Sequence, residues 1–91
     1  MTDTMAEALL APLKIDLGIS SCAFDTRLKS RIKTAAQRIE EAGITINDSE
    51  ADQDLVLMYA AWLWSSRTTG APMPRMLQYT LHSRLFGEKA R

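Results

Sequence analysis

His82 and Cys22 are the single histidine and the single cysteine of this sequence. One cysteine–histidine pair is therefore the most that thiol nucleophile chemistry can be built from here. Nothing orients such a pair and no oxyanion loop accompanies it, so Cys22 reads as a small buried or semi-buried filler and His82 as a partly exposed helix residue. The alternating acids Asp48, Glu50, Asp52 and Asp54 resemble a cation loop, but the glycine at the sixth position and the glutamate at the twelfth of a calcium site are missing. Carboxylates at the start of a helix, facing the positive end of its dipole, account for them better. No glycine-rich phosphate loop occurs. The reading is a non-enzyme with no catalytic, cofactor or metal site.

The remaining chemistry is electrostatic. Arg27, Lys29, Arg31, Lys33 and Arg38 decorate the polar side of one amphipathic segment, and a small helical DNA-binding regulator could use such a face. Two features oppose that reading: the net charge is zero, and both tryptophans lie far from these basic residues.

The elements that carry these residues are helical. In "DTRLKSRIKTAAQRIEEAG" the apolar set Leu28, Ile32, Ala35, Ala36, Ile39 and Ala42 recurs at spacings of three and four, and Phe24 extends it backward by a turn. A helix over about residues 21 to 42 follows, capped by Ser20 or Ser21 and ended by Gly43. Before it, "TMAEALLAPLKIDLG" contains Pro12, which lacks the N–H for Ala8, so a kinked or restarted helix is expected, closed by Gly18. "ITIN" after Gly43 alternates but is too short for more than an extended link. "TTGAPMP" is a loop, and Pro74 is expected to open a last helix carrying Leu77, Leu81 and Leu85 at spacing four, with Tyr79 and Phe86 pointing to a second contact surface. The tail "GEKAR" is expected to fray.

The third helix is the unusual one. Capped by Asp48 or Ser49, it contains "LVLMYAAWLW", ten residues without a polar break. A helix apolar on every side is a buried one, so Leu55, Met58, Tyr59, Trp62, Leu63 and Trp64 are expected to form the central post of the domain. Either the chain's own helices and the 67 to 74 loop enclose that post, or neighbouring molecules complete its cover. The fold class is therefore all-α: a single domain over residues 1–91, a small four-helix bundle with a buried third helix.

Composition agrees, with 46% apolar and 24% charged residues in a 91-residue chain, ordinary for one small globular unit and too polar in its segments for a membrane span. The N-terminal "MTDTMAEALL" lacks the basic start of a secretory signal, and one cysteine permits no internal disulfide, so synthesis in a reducing cytoplasm is expected. Charge is blocked along the chain. Residues 1–25 and 43–66 are net acidic, whereas residues 26–42 and 67–91 are net basic. Solvated helix faces explain such blocks, and so would an acidic surface on one copy meeting a basic surface on the next.

The passage "DLVLMYAAWLWSSRTTGAPMPRMLQYTLHSRLF", Asp54 to Phe86, resembles the second half of the head-tail connector (adaptor) proteins of long-tailed bacteriophages and prophages. Those have an apolar helix with an aromatic pair, a small polar step ending in arginine, and a short loop with "MPRML" leading into a last helix. Trp62 and Trp64 match the pair, and Arg67 matches the arginine. "LKIDLGI" and "FDTRLKSRIKTAAQRIEEA" are similar, more loosely, to the family's opening helices. This chain departs from the pattern in having no long insertion after Gly43. The resemblance implies a structural virion protein at the head–tail interface. It would form a ring of its own copies, docked on the phage portal protein, that receives the next head-completion or tail component and extends the channel through which DNA passes non-specifically. No cofactor and no membrane are implied. Arg67, Arg75, Met76, Tyr79, Arg84 and Phe86 are the candidates for subunit or portal contact.

Overall fold

The computed structural model describes residues 3–46 and 49–89. Four helices and no strand occur among them: α1 Asp3–Leu17, α2 Asp25–Glu41, α3 Glu50–Thr69 and α4 Arg75–Lys89. The chain is an all-α bundle, as its periodicity predicts.

Helix ends follow local chemistry. The hydroxyl of Ser49, in extended conformation, accepts the backbone N–H of Asp52 at 3.3 Å and starts α3; the alternative cap, Asp48, lies outside the described residues. Gly43 stops α2 with φ +107°, and its N–H donates to Glu40 while that of Ile44 donates to Ile39, so the last carbonyls are satisfied. Pro74 stands just before α4 rather than inside it, and its carbonyl accepts the N–H of Gln78 at 3.0 Å. The last helix runs on through Gly87 to Lys89, within the tail expected to fray, and the last two residues of "GEKAR" lie outside the described residues.

Two expectations are corrected. First, α1 does not restart at Pro12 but is one helix of 15 residues. Ala6, Leu9 and Leu13 are buried on both sides of Pro12 and hold the two halves to one core, while Ala8, whose carbonyl Pro12 cannot serve, is exposed. Second, α2 begins at Asp25, later than the apolar spacing suggests, and neither Ser20 nor Ser21 caps it. Ser21 Oγ instead accepts the N–H of Ala23 in the preceding turn, which carries Phe24 to an edge-on contact with Trp64, ring centroids 5.5 Å apart.

The core is assembled around α3, which packs on all three other helices, whereas α4 has α3 as its main support. Leu28, Ile32, Ala35, Ala36 and Ile39 of α2 face Leu55, Val56, Leu57, Tyr59, Ala60 and Trp64 of α3, with Leu13 of α1, Ile44 of the link and Leu77 of α4 closing the cluster. The envelope measures 42 × 29 × 18 Å. With helix axes 8–10 Å apart, its short dimension holds two helix layers and not three. A post in so thin a body cannot be enclosed all round. Leu55, Tyr59 and Trp64 are buried as expected, Trp62 and Leu63 are half-buried, and Met58, expected in the core, is 38% exposed. Glu50, Ala51, Asp54, Met58 and Ser65 all lie on one open arc of the helix.

Candidate functional site

The two tryptophans of "WLW" do different work because a step of two residues on a helix turns the side chain through about 200°. Trp64 points inward, against Phe24, and the guanidinium of Arg67 lies over its ring at 3.7 Å from the centroid while donating to the carbonyl of Trp64. Arg67, a contact candidate, is thus positioned by its own helix while remaining exposed. Trp62 turns toward the loop: its indole N–H donates to the carbonyl of Ala71 at 3.1 Å, and its ring meets Tyr59 edge-on at 5.6 Å.

That hydrogen bond ties the 70–74 loop to α3, and a groove opens beside it. Its volume is about 440 Å³, and its walls are Met58, Ala61, Trp62 and Ser65 on one side and Ala71, Pro72, Pro74, Met76 and Leu77 on the other. None of these side chains ionises, so the groove has no acid, base or nucleophile stronger than a serine hydroxyl. What it can do is exclude water around an inserted apolar group. Met76 extends its lip and is 72% exposed.

Around α4 the faces separate by helical phase. Leu77, Leu81, Arg84 and Leu85 turn inward, and Tyr79 and Phe86, two turns apart, point outward at 70% and 76% exposure beside exposed Arg75. A hollow of about 310 Å³ lies on the far flank of α4, among Arg38, Ile39, Ala42, Tyr59, Leu81 and His82.

Arg84 is the candidate that the structure reassigns. It forms an ion pair with Asp52, which is only 2% exposed, and its other nitrogen reaches the carbonyl of Thr45 at 3.5 Å. Within the chain it is a clasp between α4 and α3, and its side chain keeps 29% of its surface open to water. Both partners are in phase with inward residues, Asp52 with Leu55 and Tyr59 and Arg84 with Leu77 and Leu81. That phase is the signal the sequence carries for the pair, although Asp52 fits equally well as one more helix-start carboxylate.

The other sequence candidates do not converge. Asp52 turns inward, and Glu50 and Asp54 turn out; no group of three metal-ligating side chains forms among the described residues. Cys22 is exposed in the link before α2, not buried as expected, whereas His82 sits against the far end of that helix beside Ala42. The length of α2, roughly 25 Å, lies between them. The basic residues of α2 split into two flanks. Lys29 pairs with Glu7 of α1 at 3.0 Å, with Lys33 on the same side, and Arg27, Arg31 and Arg38 lie on the other. No described helix is long and apolar enough to cross a membrane.

Compared with protein-family models, with curated proteins and with solved structures, the chain matches none.

Proposed function

We propose that this chain is a structural assembly protein of the head-tail connector type, which works by presenting surface to its own copies and to a portal. The observation that carries the reading is the groove between α3 and the 70–74 loop. It is apolar, open, and continuous with the exposed methionines Met58 and Met76, and Tyr79 and Phe86 stand bare on the outer side of the same helix hairpin. Exposed apolar surface of this kind is what a protein contact would use. The segment that carries it, Asp54 to Phe86, is also the one with the family resemblance. Arg75, at the start of α4, can supply the polar rim of such a contact.

A channel lining needs no sequence readout, so Arg27, Arg31 and Arg38 on one flank of α2 are sufficient for passing phosphates. The alternative, a sequence-specific DNA-binding regulator, draws less support because Lys29 is engaged by Glu7 and the basic residues do not share one face.

Native mass spectrometry of the chain mixed with the portal assembly of its own genome tests the proposal. Several copies bound per portal ring are expected. No bound species at a chain concentration of about 100 μM, a level that captures even weak specific complexes, overturns it.

A further inference from the structure

We infer that two exposed stripes of the α3–α4 hairpin are made for each other, so that the outer face of α4 on one copy seats along the open arc of α3 on the next. The inference rests on the self-assembly part of the proposed function and names the surfaces that part leaves open.

The open arc of α3 carries Asp54, Met58, Ala61 and Ser65, at spacings of four, three and four. The outer face of α4 carries Arg75, Tyr79 and Phe86, with exposed His82 at its edge where the hollow of the far flank begins, and the four fall at the same spacings. Alternating steps of four and three are the seam of two helices packed at a shallow angle. Laid parallel and in register, the stripes bring Arg75 to Asp54, Tyr79 to Met58, His82 to Ala61 and Phe86 to Ser65. The pairing is complementary in charge at its first layer and in size at the rest, because each ring on α4 meets a flexible or small residue on α3. Tyr79 and Phe86, 70% and 76% exposed, would then gain cover from the groove walls at Met58, Ala61 and Ser65.

Charge adds a direction. Among the described residues neither Asp54 nor Arg75 is engaged in an ion pair or side-chain hydrogen bond, so both charges are available to a neighbour. The reverse orientation would set Arg75 against Ser65 and Asp54 against Phe86, and both charges would lose water without a partner. The stripes are made of different residues, so a contact that is not reciprocated within a pair is head-to-tail and leaves each copy with one donor and one acceptor surface. Such a contact repeats, closing as a ring or continuing as a filament.

Chemical cross-linking of two differently marked populations tests the register. Cys22 is first replaced by serine. One population then carries Met58→Cys and the other, of different isotopic mass, carries Tyr79→Cys; both positions are exposed, and circular dichroism checks that the helices are intact. A short bismaleimide reagent at high protein concentration is expected to give the mixed pair at least ten-fold above either like pair. Adding Asp54→Lys to the first population should cut the mixed yield ten-fold, and adding Arg75→Glu to the second should restore it. Random yields, a dominant like pair, or failure of the double reversal to restore linkage overturns the contact. Portal binding of the unaltered chain separates the two ideas. Binding without the mixed cross-link sinks this contact and leaves the assembly reading standing, whereas the mixed cross-link without portal binding upholds the contact and sinks the portal reading.

Discussion

Arg84 of α4 closes an ion pair on Asp52, a carboxylate 2% exposed in the first turn of α3. Since α3 is the main support of α4, this pair and three leucines carry much of its attachment. Breaking a buried pair from one side leaves the other charge unserved, at a cost of 3–5 kcal/mol in fully buried cases. Arg84 is 29% accessible to water, so Arg84→Glu is expected to cost about 3 kcal/mol, the lower end of that range. Arg84→Met with Asp52→Asn should recover most of the loss. Urea unfolding of the singles and the double reads this directly, and additive effects would remove the coupling.

Trp62 and Trp64 make a second comparison. Trp64→Ala opens space beneath Phe24 and Arg67 and should cost about 3–5 kcal/mol. Trp62→Ala removes a half-buried ring and the hydrogen bond to Ala71, for about 1–2 kcal/mol. Acrylamide quenching of the single-tryptophan variants Trp62→Phe and Trp64→Phe should show the indole at 62 as the more accessible. Equal quenching would contradict the split.

The fold was legible where one period ruled one face. Leu28, Ile32 and Ile39 announce α2, and the loop and glycine signals at residues 43 and 70 place the turns, because those residues act through local sterics alone. What escaped was decided by distant partners. The uniform apolar run Leu55 to Trp64 says that the helix is buried but holds no contrast from which to read its open side, so by pattern alone Met58 is indistinguishable from Leu55. Burial of Asp52 depends on Arg84, more than thirty residues away, and single-sequence patterns carry no such pairing. The groove depends on the direction of the Trp62 indole toward Ala71, a property of the loop's path.

Pro12 is expected to be a cost that the helix bears. It sits within α1 where Ala8 lacks its bond, and proline in a helix interior is about 3 kcal/mol less favourable than alanine. Pro12→Ala should therefore stabilise the protein by about 1–2 kcal/mol, part of the gain being lost to the greater freedom of the unfolded chain. A thermal melt raised by about 5 °C is the expected reading. A lowered melt would mean that the ring's packing outweighs the missing hydrogen bond.

Gly43 and Gly70 both hold positive φ, at +107° and +65°, but only at Gly43 would an added Cβ meet a neighbour, Leu85 Cδ1 at 3.1 Å. Gly70→Ala should cost about 1 kcal/mol, the ordinary penalty for alanine in the left-handed region. Gly43→Ala leaves that region's well and presses on α4, and about 2 kcal/mol is expected. Leu85→Ala in the Gly43→Ala background should relieve the contact part alone. If the two glycine variants melt together, α4 does not approach the end of α2 as closely as the packing of Leu85 indicates.

The groove supplies the prediction that separates folding from function. Met76 is 72% exposed and Met58 38%, so each can take a charged side chain into water without breaking the core. Met76→Glu should change stability by less than about 0.5 kcal/mol, as surface substitutions do. A carboxylate at the groove lip would have to be desolvated by any apolar group entering beside Trp62 and Pro72, a penalty of several kcal/mol at a closed contact. Association with a portal or with a second copy through this face should therefore fall at least ten-fold in Met76→Glu, and Met76→Leu, which keeps the apolar lip, should bind like the unaltered chain. Equal binding by both variants, measured by sedimentation at matched concentration, would show that the open groove is surface the molecule leaves to solvent, and the contact would have to be sought on the far flank of α4, around Arg38 and Leu81.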